Sequence, residues 1–144
     1  YVAIARGLTS SYNNGIAIRV TKSGTAHTSS EYVVASYKLR ADTTSILNES
    51  STSTTFFRVS NNNSGNNMYN TSTGLFYIYL TNFADSSGYD YLMAHGVSES
   101  NGQQGYGVPL GSAIVENASA SDGIVLVQNS NELRMGELTL YGMV

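Results

Sequence analysis

The chain has 144 residues, 41% hydrophobic and only 12% charged, with seven Lys plus Arg against ten Asp plus Glu and a net charge of -3 at pH 7. This length fits one domain that buries its own core without staples, and Ser, Thr, Asn and Gly in place of charge predict a neutral polar surface. Seven cations give no basic stripe to track phosphates, which argues against nucleic acid; zero Cys excludes disulfides and thiolate metal sites; and no apolar run approaches the ~20 residues of a membrane-spanning helix.

Short runs of β-branched and aromatic residues, separated by Gly, Asn, Ser and Asp clusters, predict about eight strands. The first spans residues 16–20, entered through a tight Asn13-Asn14-Gly15 turn, with Ile16, Ile18 and Val20 on one face. Residues 31–40 have a helical alternative, but Tyr32, Val33, Val34 and Tyr37 favour extended backbone. Residues 41–55 read as a polar loop that Ile46 and Leu47 pin to the core. A short strand follows at 56–59, then an Asn-rich exposed loop at 61–67.

The strongest strand signal lies at 74–83, where Phe76, Ile78 and Leu80 alternate with Leu75, Tyr77 and Tyr79, so both faces are apolar. At 89–97, Tyr89, Tyr91, Met93 and His95 alternate with Asp90, Leu92 and Ala94. A glycine-rich loop at 102–107 runs to Pro109, the sole proline, and closing strands are predicted at 112–116, 124–128 and 137–143. No repeat or linker interrupts the series. Residues 1–144 therefore read as a single all-β domain, an antiparallel β-sandwich of jelly-roll or Greek-key type, with an up-and-down barrel as the alternative.

Catalytic ingredients are scarce. His27 and His95 are the only imidazoles, and neither sits in a triad, zincin or nucleophile-elbow pattern. Residues 102–107 lack dinucleotide spacing and a Gly-Lys-Ser/Thr ending, so they read as a loop rather than a phosphate cradle. Asp42, Asp85, Asp90 and Asp122 are scattered, leaving a calcium ion near Asp85 and Asp90 as the least remote metal reading. No enzyme activity, catalytic residue, cofactor or metal is expected. The sequons at Asn48, Asn62, Asn70 and Asn117 are what so Asn- and Ser-rich a chain produces by chance.

The aromatic content is more informative: eleven Tyr against four Phe and no Trp. Tyrosine offers a large apolar face with a polar tip, suited to packing on another subunit or stacking on a sugar ring. The plain alternative is that these rings lie on the sandwich faces with their hydroxyls in solvent. A strand apolar on both faces needs a second cover, and a homo-oligomer supplies one most simply. The candidate interface or ligand-stacking residues are Leu75, Tyr77, Tyr79, Tyr89, Tyr91, Met93 and Tyr106.

The runs Ser112-Ala113-Ile114-Val115, Gly123-Ile124-Val125-Leu126-Val127 and Gly136-Glu137-Leu138-Thr139-Leu140-Tyr141-Gly142 resemble the closing strands of tailed-bacteriophage structural proteins. Tyr77-Ile78-Tyr79-Leu80-Thr81-Asn82-Phe83 and Tyr89-Asp90-Tyr91 look like the strand pair before them. In the closing strand Leu138 and Leu140 share the face expected to meet the core, with Tyr141 opposite. The resemblance implies a capsid-decoration, head-fibre or tail-fibre domain on the virion surface. It further implies a homotrimer that contacts capsid or tail proteins. The expected role is thus a non-enzymatic virion structural protein. Two alternatives stand beside it: a carbohydrate-binding or adhesin module that stacks Tyr on a host glycan, and a subunit of a cellular filament or surface layer.

Overall fold

In the computed structural model, the described residues are 1–10, 16–40, 44, 46–59, 74–99, 106–128, 133–134 and 136–143. The Asn13-Asn14-Gly15 turn, the Asn-rich loop and the glycines at 102 and 105 lie outside them, as does Tyr12. The strands are β1 (Val2–Ser10), β2 (Ile16–Lys22), β3 (Thr25–Ala26), β4 (Tyr32–Arg40), β5 (Ile46–Thr54) and β6 (Phe57–Arg58). They continue as β7 (Gly74–Thr81), β8 (Asp90–Glu99), β9 (Tyr106–Val115), β10 (Gly123–Gln128), β11 (Leu133–Arg134) and β12 (Glu137–Tyr141).

These strands form an all-β sandwich of two antiparallel sheets. The larger runs β11-β1-β7-β8-β9-β4-β5, and β12 pairs β1 beside β11; the smaller runs β10-β2-β3, with β6 also on β2. Side chains alternate across a pleated strand, so a sheet packed on one side buries every second residue. β7 shows this directly: Phe76, Ile78 and Leu80 are buried, while Leu75, Tyr77 and Tyr79 are half-buried. From the small sheet Ile16, Ile18, Val20 and Phe57, with Ile124 and Leu126 in part, pack on Ala3, Ala5, Phe76, Ile78, Leu92, Ala94, Ala113 and Val115 of the large one.

Local chemistry fixes the small sheet. The β2–β3 hairpin turns through Ser23 and Gly24, both at positive φ (51° and 72°), as a two-residue turn between twisted strands requires. Asp122 holds that turn by accepting the Gly24 amide at 2.7 Å and the Thr21 hydroxyl at 2.6 Å. Its carboxyl is kept below the usual range, chiefly by the Thr21 hydrogen bond.

Five expectations change. Residues 46–54 form the edge strand β5 rather than a loop, because antiparallel pairing with β4, shifted in register once between Tyr32 and Val34, supplies the main-chain bonds and Thr tolerates extended backbone. Ile46 does not pin the chain to the core; it is 60% exposed on the far side of the sheet. Gly107 and Pro109 belong to β9, a central strand, where proline costs a ladder bond. The pairing of β8 with β9 skips Gly96 and Val97, opposite Val108 and Pro109, and resumes in the same register at Ser98 and Gly107. Leu138 and Leu140 pair with Ala5 and Ala3 and so face the core side, yet they stay exposed, because the small sheet does not reach that edge. The N-terminal β1, absent from the predicted series, is the strand that joins β7 to the closing edge.

Candidate functional site

The small sheet covers one face of the large sheet. The opposite, outer face carries the second alternation of seven strands, and the register sorts it into rows. One row reads Tyr141, Val2, Tyr79, Met93, Ser112, Ala35, Ser50 across β12, β1, β7, β8, β9, β4 and β5. The next reads Thr139, Ile4, Tyr77, His95, Leu110, Tyr37, Asn48. Among the outer-face side chains described, only Arg6 and Glu137 are ionised carboxylate or guanidinium groups. They pair with each other at 2.6 Å on the sheet's edge, where the hydrogen bond to Arg6 lowers the Glu137 carboxyl.

The aromatic half of this face is ordered. The His95 ring stacks on Tyr77 and Tyr79, with ring centroids 5.3 and 5.6 Å apart, and Tyr79 Oη lies 3.2 Å from His95 Nε2. Tyr77 is the cross-strand partner of His95 and Tyr79 its diagonal neighbour, so antiparallel register alone brings the three rings together. Tyr91 and Met93 stand beside them, 48% and 44% exposed.

The other half is hollow. Ser112, Ala35 and Ser50 lie side by side and leave a depression of about 540 Å³, walled by Met93, Leu110 and Tyr37. A second depression of about 500 Å³ adjoins it, sharing Met93 and Ser112 and bordered by Tyr79, Tyr91, Ile114 and Met143.

The sequence-derived candidates therefore fall mostly together. Leu75, Tyr77, Tyr79, Tyr91 and Met93 share the outer face. Tyr89 is exposed just ahead of β8, its carbonyl accepting Asn82 Nδ2 at 3.0 Å. Tyr106 has its backbone in β9, opposite Glu99; its side chain lies outside the described residues. Sequence reasoning missed Tyr37, Leu39, Val108, Leu110 and the floor residues Ala35, Ser50 and Ser112. The alternation of Tyr37 and Leu39 was a usable signal; small residues on a strand carry none by themselves.

Polar side chains gather elsewhere. At one end of the sandwich, Glu31 Oε2 lies 2.7 Å from His27 Nε2 and accepts Asn117 Nδ2 at 2.8 Å, while the Lys22 ammonium donates to the Ser119 carbonyl at 2.6 Å. The Asn117 bond above all holds the Glu31 carboxyl low. His27 is thus tied into this end. The buried Tyr32 hydroxyl accepts the Val20 amide and donates to the His27 carbonyl, and burial pushes it up to about 12.

Asp85 and Asp90 do not converge on a cation. Asp85 accepts the amide and hydroxyl of Ser87 in its own loop, whereas Asp90 is buried against Ser121 on the core side. Among the described residues, no three His, Asp or Glu side chains form a metal-binding group. No protein-family model, no curated protein and no solved structure matches this chain.

Proposed function

We propose that this chain is a non-enzymatic structural protein of a virion surface, of the capsid-decoration or fibre kind. It acts by burying the outer face of its large sheet against copies of itself and against capsid or tail proteins. One observation carries the assembly part of this reading: a seven-strand face on which Tyr, Met, Val, Leu and Ile stand among small and uncharged polar residues, with no charged side chain in its interior among the described residues, and which its own small sheet leaves uncovered. Contiguous apolar patches of that extent mark interaction surfaces on soluble proteins. The virion setting rests on the resemblance of residues 112–142 and 77–91 to phage structural proteins.

Sedimentation of the whole chain, together with imaging of particles mixed with it, tests both parts. Self-association and decoration of capsids or tails are expected. A strict monomer that binds neither would end the proposal.

A second reading has its own support. Tyr91 stands 48% exposed on the border of the second depression, and Tyr89, two residues before it, is exposed as well, the kind of aromatic surface a sugar-stacking platform uses. Under that reading a glycan array gives specific binding that Tyr91→Ala abolishes.

A further inference from the structure

We infer that the outer face is a two-fold interface between two copies of this chain, in which the aromatic ridge of each copy fills the small-residue trough of the other. This rests on the assembly reading above and adds a partner, a symmetry and a register to it.

The ridge and the trough lie side by side on one face. A two-fold axis running along the strands between β8 and β9, in the plane where two such faces meet, reverses the strand order of one copy over the other. The first row then pairs by size. Tyr79 of β7 falls over Ala35 of β4, Met93 of β8 over Ser112 of β9, and Val2 of β1 over Ser50 of β5. Every contact in that row sets a large side chain against a small one. In the adjoining row His95 meets Leu110 and Tyr77 meets Tyr37. The depression of about 540 Å³ over Ala35, Ser50 and Ser112 is the space this fit would fill.

Three further properties favour a second copy over other occupants. Six strand spacings of about 4.8 Å by about 20 Å along the strands give roughly 600 Å² of projected face per copy. Doubled, that is about 1,200 Å² before side-chain relief, which reaches the standard size of a stable interface. The ridge is already ordered by the His95 stack and the Tyr79 hydrogen bond, so pairing freezes few rotamers. The ion pair Arg6–Glu137 sits at the rim, leaving no described charge in the interior to desolvate. A heterologous ring needs its two complementary patches on different sides of the subunit; here one face holds both, so it closes a pair. This departs from the trimer that the phage resemblance implies.

Size-exchange variants of the whole chain, followed by sedimentation equilibrium, test the register. The wild type is expected to be a dimer. Ala35→Tyr, at an exposed position, should weaken it by about tenfold or more through collision with the partner's Tyr79. The double variant Ala35→Tyr/Tyr79→Ala should restore the dimer, and thermal unfolding of each variant confirms that all of them fold. A dimer indifferent to Ala35→Tyr, or one not recovered in the double variant, overturns the two-fold register. So does a wild-type trimer, which would leave assembly through this face standing. A wild-type monomer at high concentration overturns both, including one that binds a glycan.

Discussion

The two faces of the large sheet are built from similar side chains and differ in what covers them. On β7, Phe76, Ile78 and Leu80 lie under the small sheet, while Leu75, Tyr77 and Tyr79 lie one residue out of phase and face away from it. Where the small sheet covers it, the inner face is filled to contact, mainly by Ala, Leu, Ile, Val and Phe, and Lys38, Asp90 and Ser98 are buried on the same side. The outer face is divided into a ridge and a hollow. Close packing marks a surface with its partner already in place, and uneven relief marks one whose partner is elsewhere.

Substitutions on the two sides of one strand should break this comparison most widely. Phe76→Ala is expected to cost about 3–5 kcal/mol in urea unfolding at low protein concentration, since it removes a buried ring and leaves a cavity. On the outer face Tyr91→Ala should stay within about 0.5 kcal/mol in the same measurement, because an exposed side chain loses little. Equal losses at the two sites would mean that the outer face is covered within one chain.

Neighbouring small residues of β9 sharpen the contrast. Gly111 faces inward, where a Cβ would come within 2.6 Å of Ser36 Cβ and 3.1 Å of the Phe57 ring. Gly111→Ala should therefore destabilise by about 1–3 kcal/mol, as overpacking does. Ser112→Ala, one residue along and facing out, should leave the unfolding midpoint unchanged.

The inner face of the large sheet also buries a carboxylate. Asp90 sits 1% exposed, with Ser121 donating to one oxygen and no partner for Oδ1 among the described residues. Burial raises its pKa. The folded state then holds a proton that the unfolded state gives up near its usual value of about 4. Its favourable contribution is complete below that value and is lost as pH rises through the raised folded one, so at neutral pH the charge works against folding. Asp90→Asn keeps an acceptor for Ser121 and is expected to raise the unfolding midpoint at pH 7. The gain should shrink toward zero as pH falls to about 4. A gain independent of pH would rule out desolvation as its source.

How far these differences were legible in the sequence depends on what each relied upon. The sandwich was legible because alternation at 74–83 and 89–97 is carried by bulky side chains, whose phase survives without knowledge of neighbours. β5 was not, since Ser, Thr and Asn announce a strand only once β4 lies beside them. β1 was missed because its inward Ala3 and Ala5 are too small to mark a buried face, and Leu8, the large inward residue, follows a shift of register at Gly7 that breaks the alternation. Of the candidate site, the ridge was visible as Tyr and Met at alternate positions. The trough was not: Ala35, Ser50 and Ser112 come from three strands far apart in the chain, and only strand order makes them adjacent. Strand order is a property of long-range pairing, which a single sequence does not display.

The smallest effect is expected at the border between the faces' domains of influence. Arg6 and Glu137 pair at 2.6 Å with both side chains more than half exposed, and such a pair gains little after solvent screening. Arg6→Gln should leave the unfolding midpoint within error. Under the two-fold arrangement Arg6 comes to rest near the partner's Ile46, at the rim, where truncations are close to neutral for binding; the dimer should weaken by no more than about fivefold. A larger loss would place Arg6 inside the contact instead. The two-fold axis would then have to shift toward β1 and β12, and Ala35 would cease to face Tyr79.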